Sequence, residues 1–298
     1  MVLGHTGLPS SINDWIFSFH MPLFIIVSGM LFYPARYATP LKFIRKRALT
    51  LLFPYLIFSM VVLPFSNERI TDWLLSGWNN GIALWFLPVL FLSEIYSYFT
   101  IKSIRSCKGI FISALIYGTI GYILYLLHIR LPYDIDASIS ATMFYLLGYC
   151  IKEPLFSFST ESFSMKALLV ISSLFALNIA LSQMLPKTDM AWNHCGLYGL
   201  NAFNAVAGSV AVFFISMIIS RWTGIVQMIL SWAGKNTLTI LGLSQVISIE
   251  LKDNLNILPQ VPGGNNIARQ IILWSLLYII SWAINRFAPW ILGNTQKY

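Results

Sequence analysis

Two histidines stand where proton-transfer chemistry would need them. His20 lies in Trp15-Ile16-Phe17-Ser18-Phe19-His20-Met21-Pro22-Leu23-Phe24, inside an apolar run that continues to Phe32. An imidazole facing lipid is costly, so an intramembrane histidine normally faces a cavity or a partner. His5 ends Val2-Leu3-Gly4-His5, at the mouth of another apolar segment. Imidazole titrates near neutral pH and can take or give a proton in a reaction. An interfacial His5 without a role and a His20 that merely bonds a neighbouring helix are the plainer readings. Pro22 perturbs a helix at this point and can open backbone groups toward a cavity.

Further candidates lie along the chain. The run Lys42-Phe43-Ile44-Arg45-Lys46-Arg47 can anchor a cytoplasmic loop. It can also hold phosphates, for which arginine offers bidentate contacts. Trp85, in Leu84-Trp85-Phe86-Leu87-Pro88, is an interfacial anchor or a platform for a sugar ring. Glu94 is a carboxylate within an apolar segment, a functional candidate by default; it could instead pair with a basic loop residue. Asp134 and Asp136 read as solvated loop acids, with sugar hydroxyls as the alternative partners. Ser28-Gly29 suits close helix packing. Asn236 and Thr237 can cap a helix, and Lys235 can snorkel to an interface. Cys107, Cys150 and Cys195 have no metal-ligand spacing and read as small apolar filler.

These residues need elements to position them, and composition names the kind. The 298 residues are 57% hydrophobic and 10% charged, with a mean hydropathy of +0.71. Soluble proteins carry about 25% charged residues. The chain therefore reads as an all-α polytopic membrane protein with about nine to ten transmembrane helices. Apolar segments of suitable length fall near 14–33, 49–65, 83–100, 109–128, 138–152, 167–185, 200–219, 235–250 and 269–290. Residues 1–5 read as the end of a further span. The chain is expected to be one membrane-embedded domain, 1–298, lacking most of its first span.

A cytoplasmic 34–48 segment puts most Lys and Arg inside by alternation. Only Arg69, Arg130, Lys187, Lys252 and Arg269 then fall outside, with Lys235 at a span entrance. That asymmetry follows the positive-inside rule and predicts a cytoplasmic C-terminus, with His5 and His20 toward the outer face. The net charge of +8 is then loop bias rather than a nucleic-acid footprint. The longest outer loops are 186–199 and 251–268.

Val2-Leu3-Gly4-His5, the His20 segment and Ser28-Gly29 together resemble the integral-membrane acyltransferase 3 family, especially its fucose 4-O-acetylase-like branch. Phe43-Ile44-Arg45-Lys46-Arg47, Leu52-Phe53-Pro54-Tyr55, Leu84-Trp85-Phe86-Leu87 and Gly234-Lys235-Asn236-Thr237-Leu238 extend the resemblance in order. It implies about ten helices in a bacterial inner membrane, acetyl-coenzyme A as acyl donor from the cytoplasm, no metal, and a cell-surface or lipid-linked sugar as acceptor. His5 matches the histidine usually taken as catalytic and His20 the one in the following span. Arg45, Lys46 and Arg47 fall in the expected donor-binding segment, with Trp85 and Glu94 as candidate acceptor contacts. The family usually has a basic residue about ten positions before the first histidine, a stretch this chain lacks. Relatives often carry histidine where Ser244 stands. A glycan or solute transporter and an inactive acyltransferase relative are the rival expectations.

Overall fold

The computed structural model describes residues 2–5, 9–65, 69, 71, 73, 83–160, 165–254 and 264–293. For residues 3, 5, 157–160, 165–167, 253–254 and 264–267 only the backbone is described. The described residues are almost wholly helical. The helices are α1 (Ser10–Met30), α2 (Pro40–Arg47), α3 (Phe53–Val62), α4 (Phe86–Ser103), α5 (Cys107–Leu126), α6 (Ile135–Thr160), α7 (Met165–Met184), α8 (Tyr198–Ser220), α9 (Ile225–Lys235), α10 (Thr237–Asn254) and α11 (Gly264–Phe287). Each of the nine expected apolar segments overlies one of them. Among the described residues, six helices are long and apolar enough to cross a membrane: Ser10–Met30, Pro40–Phe65, Ala83–Ser103, Cys107–Leu126, Tyr198–Ser220 and Ala268–Phe287.

The expected cytoplasmic loop 34–48 is in part helical. Thr39 and Pro40 start α2 as N-cap and first helical residue: the Thr39 hydroxyl accepts the Lys42 N–H at 3.3 Å. A π-helical stretch, Ala48–Leu52, joins α2 to α3. In it the Phe53 N–H reaches back to the Ala48 carbonyl. The wider turn lies just before Pro54, whose ring cannot continue the α-helical hydrogen-bond ladder.

α6 is the hub. It packs on α1, α4 and α5, while α8 packs on α1 and α7. The short apolar segment 138–152 thus becomes a 26-residue helix. Its polar residues are affordable in lipid because they face other helices: Ser138, Ser140, Thr142 and Lys152 are all buried. Small residues bring the backbones together. A Cβ at Gly29 would overlap the Tyr145 carbonyl, and one at Gly148 would overlap the Ile26 carbonyl. The packing role expected of Ser28-Gly29 is therefore seen at Gly29. The apolar core around this crossing includes Ile25, Met30, Phe43, Phe58, Tyr98 and Leu146. Val2 joins a smaller cluster with Ile240, Leu273 and Leu277.

Asn236 sits at the break between α9 and α10. It does not cap α10. Its amide instead donates to the Trp232 carbonyl at 2.8 Å, and Asn285 donates to its oxygen at 2.7 Å. Thr237 likewise bonds back to Gly234 at 2.7 Å. Both residues satisfy the end of the preceding helix.

Candidate active site

α1 carries the central residue. The helix runs continuously through Pro22, which has no N–H to give the Ser18 carbonyl. His20 lies ten residues from the helix start, about 15 Å along it at 1.5 Å per residue. It is therefore midway along α1, farther from the helix start than a span drawn from 14 implies. His20 is buried, and its Nδ1 donates to the Ile16 carbonyl at 2.8 Å. That bond leaves the basic lone pair of the neutral ring on Nε2. The Phe17 ring stands edge-on at 4.9 Å.

His20 lines a cavity of about 110 Å³, with Ser18, Met21 and Pro22 beside it. Trp85 lines the same cavity, as do Ser140 and Phe144 of α6, and Tyr198, Asn201 and Ala205 of α8. Residues 188–195 close it from above. The structure thus brings together His20 and Trp85 of the expected residues. Of His5 only the backbone is described, in a 3-10 turn at Val2–His5. That turn abuts the start of α1, since a Cβ at Gly4 would lie 3.0 Å from the Phe17 ring. The His5 side chain lies outside the described residues.

Glu94 is elsewhere. It is 2% exposed and forms a two-pronged ion pair with Arg47, whose Nε and Nη2 each meet one carboxylate oxygen. It does not line the cavity: of the two partners considered for Glu94, the basic segment is the one it meets. Arg47 is committed by the same pair, whereas Arg45 and Lys46 remain exposed. The Lys46 ammonium stands 5.8 Å from the centre of the Tyr37 ring.

The acids expected to be solvated are not. Asp134 and Asp136 are 1% and 0% exposed, respectively. Arg130 holds both, Nη2 on Asp134 at 2.9 Å and Nη1 on Asp136 at 2.7 Å. Its Nη2 also donates to the Ala191 carbonyl at 3.1 Å. Burial pushes the Asp134 carboxyl up to about 7; Arg130 opposes the rise and Asp136 adds to it.

Sequence reasoning passed over the loop that roofs the cavity. Asp189 and His194 pair through their backbones. His194 Nδ1 donates to the Lys187 carbonyl at 2.9 Å, and its Nε2 meets the Tyr125 hydroxyl at 3.0 Å. Asn193 adopts φ 49° and turns inward: its oxygen accepts the Ser140 hydroxyl at 2.6 Å and its amide donates to the Gly121 carbonyl at 3.1 Å. Asn201 clasps both ends of the loop, at the Leu197 N–H (2.7 Å) and the Pro186 carbonyl (2.9 Å). Lys187 reaches Asp14 of α1 at 2.9 Å. Burial raises the Asp189 carboxyl above its usual range, against backbone N–H bonds from Ala191 and Trp192.

Below the roof lies a second missed feature, a buried amide knot. The Trp15 indole donates to Asn178 at 2.8 Å, and Asn178 donates to the Asn204 side chain at 2.8 Å and to the Ser18 hydroxyl at 3.3 Å. It ties α1 to α7 and α8 beside the cavity. The available signal was asparagine inside apolar segments. Among the described residues no group of three or more His, Cys, Asp or Glu converges as metal ligands do. The arrangement can accept a proton at His20, inside a pocket partly lined by polar residues.

Searches with the chain found no matching curated protein and no matching solved structure. The profile of one family, described as an acyltransferase domain, matches residues 1–292. With a match over nearly its whole length, this helical membrane chain belongs to the acyltransferase 3 family.

Proposed function

We propose that the protein is an O-acetyltransferase of the bacterial inner membrane, moving an acetyl group from acetyl-coenzyme A to a hydroxyl of a cell-surface or lipid-linked sugar. The carrying observation is His20 on a roofed cavity midway along α1, in a chain of acyltransferase family. Donor phosphates rest near the exposed Arg45 and Lys46, and the acyl arm enters the bundle from that side. The acceptor enters under the 188–195 loop.

A histidine Nε2 accepts the acceptor hydroxyl proton as the oxygen attacks the thioester carbonyl. The C–S bond breaks, the ester C–O bond remains, and the imidazolium returns its proton to the departing thiolate. His20 is one candidate base and His5 the other; an acyl-histidine route uses the same atoms in two steps. Trp85 borders the reacting centre.

Mass analysis of surface polysaccharide from cells with and without the gene tests this reading. Deletion of the gene is expected to remove an acetyl increment of about 42 Da per ester, restored by wild type and not by His20→Ala. Identical acetylation in all three strains would remove the proposal.

A further inference from the structure

The roof loop borders two spaces, of which the His20 cavity is one. The other is a vestibule of about 300 Å³, the lower end of small-molecule pocket sizes. Tyr125, Arg130, Asp136, Asp189, Trp192 and His194 line it. Asp189, Trp192 and His194 line the inner cavity as well, so the two spaces meet at this loop.

Three observations define what the vestibule fits. First, Trp192 is 51% exposed, although Asn193, next in the chain, is 2% exposed. The left-handed turn at Asn193 separates the two side chains, sending the amide inward to Gly121 while the half-exposed indole borders both spaces. Trp85, on the inner cavity, is 8% exposed and has little free face. Second, the Arg130 guanidinium lies 5.5 Å from the Trp192 ring centre, so a planar array of donors borders the aromatic surface. Third, the cation is matched by Asp134 and Asp136, with Asp189 a further acid beside it. An anionic ligand would meet two acids of the lining, Asp136 and Asp189, and a guanidinium already paired with carboxylates. A neutral molecule with an apolar face and a rim of hydroxyls meets complementary groups on every side: aromatic plane, donors and carboxylate acceptors.

We infer that this vestibule is a pyranose-binding subsite, with Trp192 as its stacking platform and Arg130 and Asp189 as hydroxyl partners, which delivers the acceptor to the His20 cavity. The inference rests on the acyl-transfer reading for the delivery step, not for the binding itself. The loop is already fixed by Asn193, Asn201 and Lys187, so binding need not order it.

The test uses the full chain in nanodiscs. The probes are the methyl glycosides of glucose, galactose, mannose, fucose and N-acetylglucosamine, each at saturating concentration. Amide hydrogen exchange is followed in peptides covering 186–197, and acetyl transfer to the same glycosides is measured in parallel. At least one glycoside is expected to slow exchange in this loop about two-fold or more. Trp192→Leu, which keeps an apolar anchor but no planar face, should abolish the protection. Trp192→Phe should retain part of it. Where transfer occurs, Trp192→Leu should raise the acceptor KM about ten-fold, with the KM for acetyl-coenzyme A unchanged. Protection that depends on Trp192 without any transfer would sink the acyl-transfer reading and leave the sugar site standing. Transfer without loop protection, protection by no glycoside, or protection that survives Trp192→Leu would each overturn the subsite.

Discussion

At the scale of single residues, His20 and the Glu94–Arg47 pair do different work. His20 borders a cavity, while Glu94 and Arg47 satisfy one another. Replacing His20 by alanine should therefore reduce acetyl transfer about 100-fold or more, the usual scale for a lost general base, while the thermal midpoint changes little. An unaltered rate would assign the chemistry to another group. For the ion pair the expectation is reversed. Arg47→Gln leaves the buried Glu94 carboxylate without its counterpart, at a cost of about 3–5 kcal/mol, whereas Glu94→Gln leaves the partly exposed Arg47 and should cost less. The double substitution should recover much of that loss, so a double-mutant cycle on the unfolding midpoint should show strong coupling. Additive effects would mean that the pair is not formed. The composition of the span could flag Glu94 as exceptional but not choose its partner. That choice depends on how α2 and the π-helical turn aim Arg47 at α4, which is a matter of three-dimensional phase.

At the scale of elements, close approach and buried acids set the sensitivities. Gly29→Leu should prevent α1 and α6 from meeting, because even a Cβ at this position overlaps the Tyr145 carbonyl. Loss of folded protein in detergent size-exclusion chromatography is the expected result. Gly199→Ala on α8 meets nothing within 4 Å and should be neutral or slightly stabilising. The outer corner adds a pH dependence. The Asp134 carboxyl titrates near 7 when folded, against an ordinary value of 3.8. The native state therefore binds more protons than the unfolded chain between those values, and stability falls as pH rises from about 4 to 7. Asp189, also raised, acts in the same direction. Asp134→Asn should flatten that slope in midpoints measured across this range; a slope unchanged by the substitution would contradict the burial of Asp134. An i, i+2 pair of acids in a loop gave no hint of this. The enclosing groups, Arg130 and the roof loop, reach them only through folding.

At the scale of the whole molecule, hydropathy made the helices legible because each span must satisfy its own backbone in lipid. The apolar segment 83–100 overlies α4, and 200–219 overlies α8, to within a turn at either end. Polarity blurred the reading at α6, which runs Ile135–Thr160: the buried Asp136 and the exposed Glu153 lie outside the apolar segment 138–152 yet inside the helix. The amphipathic α9 was missed for another reason, being too short for a span. The candidate site was legible at His20 and Trp85, which lie on the segments that carry the family resemblance. Its roof was not, since Asp189, Asn193 and His194 converge through turns rather than through any helical period. Orientation follows from the same map. The roof loop and the exposed Cys107, at the start of α5, lie at opposite ends of the bundle. If the basic residues mark the cytoplasmic side, Cys107 faces inward and Lys187 outward. In otherwise cysteine-free protein, a Lys187→Cys thiol should react with a membrane-impermeant maleimide in intact spheroplasts, whereas Cys107 should react only after permeabilisation. The Lys187 side chain is 68% exposed, so access is not the limit. Labelling in the reverse pattern would invert the molecule and place the His20 cavity's roof on the donor side, which the proposed route of acyl transfer could not survive.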